Sequence, residues 1–393
     1  MACGGNEPAQ TQEVRNVKVR RLALLLAVAA VGAISATGSA SAASDVVGHV
    51  YVNDNTAGVN TIAGFDRHAD GTLTPIAGSP FVAGGAGTGQ RTGSQGALQI
   101  SDDGRYLLAV DAGSNEISVL RIEHDGGLDP VAGGPVSSGG IAPVSVAVHG
   151  RLVYVANAGD GGSDYTGFTL NPGGRLRPLA GSTVALPDGS SPGDVLFNGD
   201  GTRLLGVRVN TSLIDSFAIQ PDGRLAAAPG SPFAAQGAGP FGSEFRPTDP
   251  TQVFVSNAHD GAGNGTVSAF DVATDGTLAS IGSSPFADFQ TAPCWVEISH
   301  DGQFLFTVNT ASNSISRYAI AADGSLALLG STPLSTPGAG PFDARLGPGG
   351  ATLWVVEANA VAALAVAGGD LAELASSPTP LPAGATPFGI VVT

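Results

Sequence analysis

Hydrophobic and polar positions fall in short alternating runs along this chain, and residues 293–334 show the pattern most completely. Runs at 293–299, 303–309, 314–320 and 325–334 are rich in β-branched and aromatic residues. Between them lie His300-Asp-Gly302, a polar turn, and Ala321-Ala-Asp-Gly324. Runs of that length, broken by Gly, Asp and Asn, predict a four-stranded antiparallel meander.

The same unit recurs along nearly the whole sequence. A turn followed by leucine appears at Gly71-Thr-Leu73, Gly126-Gly-Leu128, Gly174-Arg-Leu176, Gly223-Arg-Leu225, Gly276-Thr-Leu278, Gly324-Ser-Leu326 and Gly369-Asp-Leu371. The spacing, about 50 residues, suits propeller blades and exceeds most helical solenoid repeats. Units close on sequences such as Gly78-Ser-Pro-Phe81 and Gly230-Ser-Pro-Phe233, and open on Ala142-Pro143, Ser191-Pro192, Gly239-Pro-Phe241, Ala292-Pro293, Gly340-Pro-Phe342 and Thr386-Pro-Phe388. The final opener begins a first strand with no second strand after it. Conversely, residues 46–53 read as a second strand lacking a first. Joining them completes a seventh blade. The sequence therefore predicts an all-β, seven-bladed β-propeller of four-stranded antiparallel blades, its ring closed by the C-terminal strand joining the N-terminal blade.

The first 42 residues stand apart. Arg15, Lys18, Arg20 and Arg21 precede an apolar or Gly run at 22–34, and Ala40-Ser-Ala42 supplies an A-x-A cleavage site. The run is shorter than the roughly 20 residues that span a bilayer, so 1–42 reads as a cleaved signal peptide and 43–393 as one exported propeller domain. Without 1–42 the chain keeps 13 basic residues, all arginine, and 31 acidic ones, a net charge of −18. This balance argues against nucleic acid and anionic membranes as partners. Cys294, the one cysteine beyond residue 42, reads as a small buried apolar residue. A monomer is expected.

With the landmarks in place, the unit resembles the lactonase-type seven-bladed propellers, a family that includes propeller 6-phosphogluconolactonases and carboxymuconate cyclases. The resemblance covers roughly residues 46–393. It implies an enzyme acting on a small sugar-derived or carboxylated lactone, hydrolysing or isomerising it at the mouth of the central channel. The family's hallmark is Pro-Arg-His at the start of an inner strand, with Asn-Glu ending the following strand. The corresponding inner positions here are Ala97, Ser145, Asp194, Gly242, Trp295, Asp343 and Gly389, and no Pro-Arg-His occurs. Glu357, in Val355-Val-Glu357, comes nearest to the acidic element and is displaced by one place. The alternative function is a secreted, non-catalytic propeller binding a ligand, a cell-wall glycan or a protein.

The candidate site follows from strand periodicity. Side chains alternate along a strand, so the set that includes Asp194, Glu244, Glu297, Asp343 and Arg345 faces the channel. Charges in enclosed strands need partners, water or a ligand. Arg345, Glu297, Glu357, Arg208 and His259 are the candidate catalytic groups, with Asp194, Glu244 and Asp343 as ligand-binding partners. Arg208 and Glu357 end second strands, where Asn or Asp would suit a turn better. His259 is the one histidine on a loop of the channel-mouth face. No spacing resembles a metal site, the Asp- and Gly-rich loops at 159–164 and 260–265 read as turns, and no cofactor is implied.

Overall fold

The computed structural model describes residues 45–393; the segment 1–42, read from sequence as a signal peptide, lies outside the described residues. Seven antiparallel sheets follow one another around a central channel. Their inner strands are Ile390–Val392 in blade 1, Leu98–Ile100 in blade 2, Pro143–His149 in blade 3 and Pro192–Phe197 in blade 4. Pro240–Arg246, Pro293–Ile298 and Asp343–Leu346 serve blades 5, 6 and 7. Blade 1 is built from both ends of the chain: Val50, Tyr51 and Val52 pair with Val392, Val391 and Ile390. The predicted closure is present.

The outermost strand departs from the expectation. Six of the seven sheets have five strands, because two short outer pieces both pair with the third strand. In blade 5, for example, Leu278–Ser280 and Phe286–Ala287 share the partner Thr266–Val272. The break falls at the closing landmark of each of these blades; in blades 1, 2, 4, 5 and 7 a proline there cannot donate to the ladder, whereas blade 3 breaks at Gly181-Ser-Thr183 without one. The landmark serine then caps the third-strand N–H left without a ladder partner. Gly64, Gly167, Ser216, Ala269 and Ala363 donate to the hydroxyls of Ser79, Ser182, Ser231, Ser284 and Ser377 at 2.7–3.0 Å. Blade 6 carries Gly330-Ser-Thr-Pro333 instead and keeps a continuous outer strand, Leu326–Pro333.

Other landmarks have equally local causes. The aspartate of each Asp-Gly turn accepts the N–H two residues on, as Asp70, Asp200, Asp275 and Asp323 do from Thr72, Thr202, Thr277 and Ser325. The opening proline of blades 3, 4, 5 and 6 is followed by a bulge, so the ladder slips before Ser145, Asp194, Ser243 and Trp295. Bulges re-aim side chains, and these four lie beside the axis. Core packing is between blades: Tyr51, Ile62, Leu98, Leu107, Leu120 and Val391 form one such buried layer between blades 1 and 2.

Candidate functional site

A ten-residue segment that the repeat pattern did not flag decides the geometry of the channel. Residues 88–97 link the outer edge of blade 1 to the inner strand of blade 2, and they cross the axis. Ser94 and Gln95 are buried. The Gln95 N–H donates to Gly193 O (3.0 Å) in blade 4, its Nε2 to Ser243 O (2.9 Å) in blade 5, and its Oε1 accepts from Val296 N (3.0 Å) in blade 6. The Ser94 hydroxyl donates to Val144 O in blade 3, and Trp295 Nε1 donates to Ser94 O at 2.5 Å. The Arg91 guanidinium lies 4.1 Å from the centroid of the Phe342 ring in blade 7. Gly242 makes room for this plug, because a Cβ there would sit 2.3 Å from Gln95 Oε1. Asn55 holds the stem, its amide bridging Thr88 and Gln90.

Below the plug lie two layers of inner-strand side chains. The first contains Ser145, Asp194, Ser243, Trp295 and Asp343, all buried. Asp194 accepts from the Ser145 hydroxyl (3.2 Å), the Ser243 hydroxyl (2.7 Å) and Ser243 N (3.1 Å). Asp343 accepts from Ala344 N and Ile390 N. Trp295 stacks edge-on against Phe241 and Phe342. The second layer contains Gln99, Leu196, Glu244, Glu297 and Arg345. Arg345 Nη1 donates to Glu297 Oε2 at 2.8 Å, and Glu297 Oε1 accepts from Leu346 N at 2.7 Å. Glu297 is thereby held at both oxygens. Glu244 is not, and its Oε2 has no hydrogen-bond partner.

Within these layers lies a cavity of ≈ 330 Å³ lined by Gln95, Gln99, Asp194, Ser243, Glu244 and Arg345; Glu297 and Asp343 are not on its lining. One arginine faces four carboxyl groups. Burial pushes Asp194 up to about 7 against the pull of its serine hydrogen bonds, and pushes Asp343 up to about 7 against the Arg345 charge. Burial, reinforced by the charge of Glu297, raises Glu244 well above the ordinary glutamate value. Glu297 is also raised by burial, with Arg345 opposing. Burial disfavours the Arg345 cation, but the surrounding charges of Glu297, Asp343 and Glu244 outweigh it and fix the guanidinium as charged.

Of the residues singled out from sequence, Arg345, Glu297, Glu244, Asp194 and Asp343 are brought together around the axis. Three others stand elsewhere. Arg208 is engaged by Asp215 through two hydrogen bonds (2.7 and 2.6 Å), and Asp215 also accepts from Tyr165 (3.1 Å), which ties blade 3 to blade 4. His259 packs against Gly239 in a loop of blade 5, where burial lowers its pKa, and it does not line the chamber. Glu357 is fully buried beside Thr336, and burial raises its pKa against the pull of that hydroxyl. Asn157, Asn257 and Asn309, which end second strands, bind hydroxyl or carboxylate groups of their own third strands, whereas Asn53 donates to Val110 O of blade 2. The mouth itself is the largest correction. The sequence placed the site where inner strands begin, and the plug fills that end. Gln95 and Ser243 were missed, although blade 2 is the one blade whose inner strand has no proline opener.

Fold and site together define a propeller with an axial acid-and-arginine chamber. The family described as lactonase, 7-bladed beta-propeller, matches residues 56–182 and 245–354, and the chain belongs to it. A Bacteroides uniformis protein provisionally assigned as a 6-phosphogluconolactonase is 21% identical with a TM-score of 0.71, over 88% of this chain and 99% of its own. The periplasmic gluconolactonase of Pseudomonas aeruginosa is 18% identical with a TM-score of 0.70, over 88% and 98%. Among proteins with curated descriptions, none matches.

Proposed function

We propose that this chain hydrolyses a small, neutral, sugar-derived lactone in the axial chamber. The observation that carries the reading is the pairing of a fixed guanidinium, Arg345, with a carboxyl group that keeps one oxygen without a hydrogen-bond partner, Glu244, in one polar cavity. Opening a lactone needs a cation to polarise the carbonyl oxygen and a group to move the proton of water. Arg345 supplies the first, positioned by Glu297. Glu244 in its ionised form supplies the second: water adds to the carbonyl carbon, its proton passes to the Glu244 carboxylate, and the ring C–O bond breaks as that proton is delivered to the leaving oxygen, which restores the carboxylate. Asp194, on the cavity lining, is the carboxyl group placed to accept a ring hydroxyl. With Asp194 and Glu244 on its lining and its one arginine already paired with Glu297, the chamber suits a neutral ligand and repels phosphate or a second carboxylate. The names of the related structures, a gluconolactonase and provisional 6-phosphogluconolactonases, support the lactone class. A pH-stat comparison of glucono-1,5-lactone, its 6-phosphate and a muconolactone, each above spontaneous hydrolysis, tests the reading. Turnover of the neutral lactone is expected to lead. Preference for the phosphate would contradict the assigned ligand class, and no turnover at all would favour a binding propeller.

We also infer that the chain is exported, with cleavage after Ala42. The basic residues, apolar run and A-x-A site support this, as does the periplasmic location in the name of the Pseudomonas relative. Intact mass of the protein recovered outside the cytoplasm is expected to begin at Ala43. A mass retaining residues 1–42 would refute export by cleavage.

A further inference from the structure

Exposure along the inner strands runs opposite to what an open upper mouth would give. Beside the plug, Ala97, Ser145 and Ser243 are 0% exposed and Asp194 is 2% exposed. One layer deeper, Gln99, Leu196, Glu244 and Arg345 are partly exposed, and at the far end so are His149 and Phe197. The strand of blade 3 goes from buried at Pro143 to part-exposed at His149, and that of blade 4 from buried at Pro192 to part-exposed at Phe197. Water therefore reaches the chamber from the face where inner strands end. A second cavity of ≈ 250 Å³ lies on that path, lined by Ala147, His149, Phe197 and Gly199, and it shares Gln99, Val195 and Leu196 with the Arg345 chamber. Gly199, at its rim, is exposed.

We propose that ligand enters the Arg345 chamber from this face, through a vestibule walled by His149 and Phe197, while the segment 88–97 is a fixed closure of the opposite mouth. The two rings, with centroids 6.0 Å apart, give the vestibule an apolar wall beside the polar chamber, an arrangement suited to one face of a sugar ring. The nature of the occupant rests on the lactone reading above; the route does not.

The test uses thiol labelling and needs no catalytic activity. Leu196→Cys is made in the full chain with Cys3→Ser and Cys294→Ala, and the same chain without the Leu196→Cys reporter serves as the blank. A small cationic methanethiosulfonate reagent is expected to label Leu196→Cys in the folded protein. Gly199→Trp, at a position where a Cβ would meet nothing closer than Pro250 Cβ at 3.9 Å, is expected to slow labelling about tenfold or more, because the rate follows access to the thiolate. Arg91→Ala, on the plug, is expected to leave the rate unchanged. Gln99→Cys provides a second reporter if Leu196→Cys does not fold. A folded reporter that fails to label, or a rate indifferent to Gly199→Trp and raised by Arg91→Ala, would overturn the route. Neither result bears on whether a lactone is hydrolysed.

Discussion

Burial makes several carboxyl groups hold protons more tightly in the folded chain than in the unfolded one. Asp54, Asp194 and Asp343 are pushed up to about 7, and Asp111 and Asp288 to about 6. An unfolded aspartate titrates near 4. Between about pH 4 and 7 the folded state therefore binds more protons, and stability falls as pH rises through that window. Exposed turn aspartates such as Asp200, Asp301 and Asp323 are lowered by their serine, threonine and backbone hydrogen bonds, so their opposite contribution lies below about pH 4. Thermal melts are expected to show a higher midpoint at pH 5 than at pH 7.5; a midpoint rising across that range would contradict the assignment. At this scale the period of two was enough to place Arg345 and Glu297 on one face of neighbouring strands. Nothing local could show that Arg208 has Asp215 as partner, because that contact depends on strand register.

Among the elements, the plug is the least repetitive and the most connected. Gln95 joins blades 4, 5 and 6 through one side chain and its own N–H. Gln95→Ala would leave Val296 N–H and Ser243 C=O buried without partners, a loss of about 2–4 kcal/mol at the usual cost of such groups. The expected outcome is a lower urea midpoint together with greater acrylamide quenching of tryptophan fluorescence, since Trp295 donates to the plug backbone. An unchanged midpoint and unchanged quenching would show that the segment does not brace the ring. The blade strands were legible because each landmark has a local cause: the Asp-Gly turn caps its own backbone, and the Gly-Ser-Pro serine caps the third strand. The split of the outer strand was hidden, because those short pieces look in sequence like one interrupted run. The plug was hidden for a different reason. Its role comes from contacts with five other blades, and its polar, Gly-rich sequence reads as an ordinary loop.

For the whole molecule, ring closure could be read from an unpaired first strand at one end and an unpaired second strand at the other. The side from which the channel is reached could not, since it is set by where a single connecting segment folds back. The sealed mouth also accounts for the site's depth: the charged layer lies one step below the position at which the family hallmark would stand. The account depends most on Arg345 acting as the electrophilic group of that layer. Steady-state hydrolysis of glucono-1,5-lactone by the purified chain, compared with Arg345→Ala and Glu244→Gln, tests this most directly. One preorganised donor is typically worth about 3 kcal/mol, so Arg345→Ala should reduce kcat by about a hundredfold or more while the protein remains folded. Glu244→Gln should fall comparably. Turnover that is indifferent to both substitutions would place the chemistry outside the channel and contradict the assignment.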